Sequence, residues 1–174
     1  RNNKFANSGI GVELDIDRDF KKYEKFGALK GLEFQKDLEK ISFFAGGRTQ
    51  TAPAQRLVDF VDGRLSTNLN ETSYQPGLNS APLHSLLPKI IGSRLRKGFE
   101  GFGKKMHGYY TNEANIVGVE SRTSSPVNIP RKEDLEHTEI EGLFPCGEGG
   151  GYAGGIVSAA MDGERCAEAA IAKI

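Results

Sequence analysis

The sequence has no excess charge of either sign: 23 Lys and Arg balance 23 Asp and Glu. That balance leaves no electrostatic footprint for a nucleic acid or an acidic lipid surface, so neither is an expected partner. Cysteine is scarce, with only Cys146 and Cys166, and histidine occurs three times. Two cysteines at this spacing with scattered histidines supply no ligand cluster, so no metal site is expected. The same scarcity predicts a reducing, cytoplasmic setting. No run approaches the ~20 apolar residues of a membrane helix, and the N-terminus carries no signal pattern, so no membrane association is expected. An initiating methionine is absent too, and the opening RNNKFANSGIGVELD reads as an element already under way, which predicts a segment of a longer protein. What is present is an ordinary globular balance, 37% apolar and 26% charged over 174 residues. That length suits one domain, or a small domain with a piece of another.

Helical signals dominate as far as Tyr110. Phe34, Leu38, Ile41 and Ala45 recur at spacings of four, three and four, one stripe of a helix that stops at Gly46 and Gly47. A second helix is predicted from Pro53, carrying Leu57, Val58 and Val61 inward and ending at Gly63. A polar loop follows from Leu65 to Asn79. Ser80 is expected to cap a third short helix, Pro88 to restart the chain, and Gly101 and Gly103 to end a run built on Ile91, Leu95 and Phe99.

From Asn115 the pattern changes to short strands. IVGVESR alternates Val117, Val119 and Ser121 against Gly118, Glu120 and Arg122, and PVNIPR follows a turn at Ser124, Ser125 and Pro126, which predicts a β-ribbon. EIEGLFPCGE reads as a short buried strand, and Ile156 to Ile174 as a helix with Ile156, Ala160, Gly163, Ala167 and Ile171 on its covered face. The expected fold class is α+β: a mostly helical module, then short strands, then a C-terminal β-loop-α unit.

Between that strand and that helix, PCGEGGGYAGG places six glycines in eleven positions. A glycine loop opening onto a helix N-terminus collects unpaired N–H groups and the positive end of the helix dipole, and bare backbone lets a ligand approach. Gly149, Gly151 and Gly154 even spell the nominal dinucleotide fingerprint, G-x-G-x-x-G. That motif opens a βαβ unit with an acidic residue ~20 positions on, whereas only a helix follows here. No Lys-Ser/Thr pair makes it a Walker loop either. The loop reads as a closing element.

Residues 142–169, GLFPCGEGGGYAGGIVSAAMDGERCAEA, resemble the C-terminal flavin motif of bacterial FAD-dependent dehydrogenases, a largely uncharacterised family of glutathione-reductase-like, two-dinucleotide-binding architecture. NSGIGVELD, FGALKGLEFQKDLEKISFFAGG, TAPAQRLVDF, SYQPG and VESRTSSPVNIPR resemble segments of the same family in the same order. The resemblance implies that residues 1–115 are the tail of an inserted, mainly helical substrate-side domain. Residues 116–174 are then the return to a Rossmann-like FAD domain whose N-terminal half, a partner for this chain, is absent. It implies FAD as cofactor, with Glu148 accepting a hydrogen bond from a ribityl hydroxyl. Gly147 and the run Gly149, Gly150, Gly151, Tyr152, Ala153, Gly154, Gly155 and Ile156 would line the pyrophosphate-ribityl side and the pyrimidine edge. Arg122, Thr123 and Ser124 resemble the family's segment that passes near the flavin.

The residues also carry plainer readings. Arg122 serves either the flavin side or an ion pair with a nearby Glu, and Tyr152 either meets a ligand or anchors the loop. Cys146, without a CxxC partner, reads as a small buried residue. His84 and His107 suit surface or capping roles, and no catalytic acid or base stands out. Two functions follow: the C-terminal part of an FAD-dependent oxidoreductase, inactive in isolation, or a non-catalytic interaction module in which the glycine loop is only a turn.

Overall fold

The structure, a computed structural model, describes residues 2–122 and 124–173. In chain order it contains α1 (Ile16–Asp19), a 3₁₀ segment (Lys21–Leu29), α2 (Lys30–Ala45), β1 (Ala52–Arg56), α3 (Leu57–Asp62), β2 (Leu78–Ser80), α4 (Leu83–Leu86), α5 (Lys89–Lys105), β3 (Asn115–Val117) and α6 (Ile156–Ile171). Helices with one small sheet make the fold α+β, as the sequence predicts. Two compact units divide the chain: Arg1–Asp19 with Lys36–Val119, and Phe20–Gln35 with Glu120–Ile174.

In the first unit β1 is the central strand, parallel to β2 and antiparallel to β3. Residues 52–56 are therefore a strand and not the predicted first turn of a helix at Pro53. A proline is tolerated in a central strand because of where its backbone points. Ala52 and Ala54 bond the β2 side, through Ala52 N–H to Gly77 O and Ala81 N–H to Ala54 O, whereas Pro53 O faces the other side and accepts from Gly118 N–H. The missing donor of Pro53 thus falls where β3 has already ended. The helix begins at Leu57, buries Leu57 and Phe60, and ends as predicted at Gly63, which adopts φ 72°. Phe60 packs edge-to-face on Phe99 of α5, with centroids 6.0 Å apart, and Leu83 closes the same core.

Two further expectations change. Ser80 belongs to β2 and donates to Ser66 O at 2.6 Å, so it caps no helix; Pro82 takes the N-cap position of α4. Gly101 and Gly103 lie inside α5, not at its end. A Cβ on Gly103 would come within 2.6 Å of Tyr110 Cβ, so this glycine serves close packing and not termination. The stop of α2 at Gly46 and Gly47 holds, and Gly46 fits because a Cβ there would lie 2.1 Å from Thr51 O. Of its stripe, Leu38 is buried while Ile41 is exposed.

In the second unit Phe34 of α2 receives Phe20 edge-to-face at 4.8 Å and Tyr23 at 5.7 Å. Gly31 brings α2 against Pro126, since a Cβ there would lie 2.8 Å from Pro126 Cβ. Gln35 Nε2 donates to Ser121 O at 2.7 Å. The predicted β-ribbon and the strand in EIEGLFPCGE do not form among the described residues. Pro126 and Pro130 lack ladder donors, Ser125 Oγ turns back onto Val127 O, and one isolated bridge pairs Arg131 with His137. Turns replace the second strand, with Gly142 at φ 75° and His137 N–H bonded to Leu143 O.

α6 is rotated from its predicted orientation. Ile156, Ala160, Ala167 and Ile171 of the expected covered stripe are exposed and Gly163 is half-buried, whereas Asp162 and Cys166 are the buried residues. The buried face carries Asp162, which is the counter-ion of the buried Arg131 guanidinium at 2.8 Å.

Candidate functional site

The loop 145–155 is a compact coil and not a floppy tether. Gly150 N–H bonds Cys146 O, Gly151 N–H bonds Glu148 O, and Tyr152 N–H bonds Gly147 O. Ile129 N–H reaches Gly150 O at 3.1 Å and Asn128 Nδ2 reaches Gly151 O at 3.2 Å, fastening the coil to the preceding segment. Such a path needs glycine at specific points. Gly151 has φ 83°, and a Cβ there would meet Val127 O at 2.7 Å; at Gly150 it would meet Cys146 N and O at 3.0 Å. These two glycines, with Gly147 at φ 65°, are required by the turn and its packing.

Gly149 and Gly154 differ. A Cβ on either meets nothing within 4 Å, and neither has a positive φ. Beside them the backbone donors are open: among the described residues no hydrogen bond occupies the N–H groups of Ala153, Gly154, Ile156 or Val157. Gly155, in extended conformation, is the N-cap of α6, and Ser158 Oγ takes its N–H at 3.2 Å. The free N–H groups therefore collect at the positive end of a 16-residue helix, an arrangement that favours an anionic or electron-rich group. Glu148 is half-buried, and no hydrogen bond or ion pair engages its side chain among the described residues.

The remaining expected residues are placed as follows. Tyr152 anchors the loop: its hydroxyl donates to Ile129 O at 2.7 Å, and its ring lies over the Arg131 guanidinium, 3.5 Å from the centroid. Ile156 is 92% exposed at the start of α6. Arg122 and Ser124 are exposed in the segment that leads towards Val127. Thr123 lies outside the described residues. Cys146 is exposed, contrary to its reading as a small buried residue, and Cys166 is the buried thiol. Burial holds the Cys166 thiol above its ordinary pKa.

Sequence reasoning missed Arg131 and Asp162. Their charges are mutually stabilised: the guanidinium holds the Asp162 carboxyl below the usual carboxylate range, and Gly147 N–H adds to that effect. A carboxylate four residues before Cys166, on the same helix face as that apolar thiol, was the available signal, because a buried acid needs a partner. Away from the loop, in the first unit, a groove of about 800 Å³ runs between residues 10–18 and α5. Arg94 donates to Glu13 O at 2.6 Å along it. The described residues contain no group of three or more His, Cys, Asp or Glu able to hold a metal ion, and no described helix is long and apolar enough to cross a membrane.

The fold and the loop define an α+β chain with a glycine-rich turn that leads into a helix whose first N–H groups are unbonded among the described residues. A family described as FAD-dependent protein, C-terminal domain-like matches residues 1–123, and the chain belongs to that family. It is 41% identical over 170 residues to an uncharacterized protein of Clostridium beijerinckii (strain ATCC 51743 / NCIMB 8052). That match covers 97% of this chain and 31% of the relative, so the chain spans about a third of the relative's length.

Proposed function

We propose that the chain is the C-terminal part of an FAD-dependent oxidoreductase and contributes the ribityl and isoalloxazine side of the FAD site. The observation that carries this reading is the open backbone around Gly149 and Gly154, with unengaged N–H groups at Ala153, Gly154, Ile156 and Val157, in a chain of an FAD-dependent family. Bound FAD would supply the electron transfer; the protein's part is to bind, orient and tune it. Glu148 accepts a hydrogen bond from a ribityl hydroxyl, a role for which its unengaged carboxylate is available. The N–H groups at the start of α6 favour negative charge on the pyrophosphate or on the pyrimidine edge of the flavin. Arg122 and Ser124 belong to the segment that passes near the flavin in this reading.

The apolar residues left on α6, Ile156, Val157, Met161 and Ile171, are 92%, 72%, 59% and 70% exposed. In this reading they pack against the portion of the parent protein that corresponds to the rest of its longer relative. The competing reading, a purely structural turn, has support at Gly150 and Gly151, where packing alone requires glycine. It leaves Gly149 and Gly154 without a reason.

The full-length protein should purify yellow and release its flavin on denaturation. Glu148→Ala removes a hydrogen bond to a charged group worth ~1.5–3 kcal/mol and should weaken FAD binding by about ten- to a hundredfold in a fluorescence titration. A colourless full-length protein that cannot be reconstituted with FAD would sink the oxidoreductase reading. Unchanged affinity in Glu148→Ala would move this residue off the cofactor.

A further inference from the structure

One buried ion pair grips the glycine-rich loop at its start and again at Tyr152. Asp162, on the second turn of α6, accepts Gly147 N–H on Oδ2 at 2.9 Å. The same carboxylate accepts both terminal nitrogens of Arg131, at 2.8 and 3.0 Å. Arg131 Nη1 also donates to Pro145 O at 2.8 Å, and the guanidinium stacks on Tyr152. Pro145 and Gly147 open the loop, and Tyr152 follows its run of three glycines. Both charged side chains are about nine-tenths buried.

The physical need for such a clamp follows from composition. Glycine has little conformational bias of its own, so a loop this rich in it would lose much entropy if a ligand had to order it. Contacts that fix the loop beforehand remove that loss from the binding step. Arginine suits the role because its planar fork can meet a carboxylate, a carbonyl and an aromatic face together, which an ammonium cannot. We infer that Arg131 and Asp162 are positioning residues that hold the loop's N–H groups and Glu148 ready for FAD. The inference rests on the FAD reading above.

The test replaces both partners at once, Arg131→Met with Asp162→Leu, so that no buried charge is left alone. In the full-length protein three quantities are compared with the parent: the thermal transition, FAD affinity by flavin fluorescence, and hydrogen exchange of the bonded loop amides of Gly150, Gly151 and Tyr152 without FAD. The variant should keep a cooperative transition, exchange these amides at least tenfold faster and bind FAD at least tenfold more weakly. A folded variant with the parent's FAD affinity overturns the inference. Should the parent itself bind no FAD, the functional reading falls separately, and exchange judges the clamp: unchanged protection overturns it, faster exchange upholds its grip on the loop. If the double variant does not fold, Arg131→Lys keeps the charge and loses the fork. It should weaken FAD about three- to tenfold, and unaltered affinity there counts against the inference equally.

Discussion

Gly151 and Gly154, three residues apart in one loop, should respond in opposite ways to added side chains. At Gly151 an alanine would hold φ near 83°, a left-handed conformation that costs an L-residue about 1–2 kcal/mol. Its Cβ would also press on Val127 O at 2.7 Å and Asn128 Cα at 3.0 Å, backbone atoms that cannot swing aside, adding about 1–3 kcal/mol of overpacking. The sum is about 3 kcal/mol, which in a chain of this length lowers Tm by roughly 6–12 °C. At Gly154 the Cβ of a valine enters open space, and apo stability should change by no more than about 0.5 kcal/mol. The ligand-bound state separates the readings further. FAD that binds only the native state raises stability by about 2.7 kcal/mol at a hundred times its Kd. In the full-length protein Gly154→Val should lose most of that FAD-dependent rise in Tm, because the valine occupies the cofactor's approach to the backbone. Differential scanning calorimetry with and without FAD reads both effects. If Gly151→Ala melts with the parent, the packing argument is wrong; if Gly154→Val keeps the full increment, the cofactor does not touch this position.

Two further predictions concern pH. Lys173 at 2.5 Å, followed by Gly142 N–H, holds the Glu136 carboxyl down to about 2 from an ordinary value of 4.5. The unfolded chain therefore takes up this proton first as pH falls, so the stabilisation from Glu136 is complete above about pH 4.5 and lost towards pH 2. Urea unfolding at pH 6 and pH 3 should show this loss, and Glu136→Gln should shrink it. His84 behaves in the opposite chemical sense with the same direction of change. Gln55 Oε1 accepts His84 N–H, which turns Gln55 Nε2 towards His84 Nδ1 and makes that nitrogen an acceptor. Burial, with the nearby Arg96, lowers the His84 pKa, so stability should decline as pH falls below about 6.5, where the unfolded histidine is charged. His84→Gln should flatten this decline in thermal melts; an unchanged pH profile would assign it to other groups.

Local chemistry alone determined much of this chain. The helix ends at Gly46–Gly47 and Gly63, the α+β class, and the glycine coil ahead of a helix were legible because capping, periodicity and backbone freedom act within a few residues. The family match over residues 1–123 agrees with the FAD-dependent family that the motifs resemble, whereas a ligand-facing role for the glycine loop, which lies outside that match, is a proposal. Tertiary structure decided the rest. Pro53 reads locally as a helix start, yet pairing with Asn79 of β2 and Gly118 just past β3, 26 and 65 residues away, makes it a strand residue, in a register that leaves its missing donor harmless. The small-residue stripe of α6 reads as its buried face, yet the buried residues are Asp162, paired with Arg131 from 31 residues earlier, and Cys166. Within the loop, sequence treats all six glycines alike. Only the neighbouring chain at Val127 and Asn128 separates Gly151, which cannot carry a side chain, from Gly154, which has room for one, because steric exclusion depends on what folds against a residue and not on the residue itself.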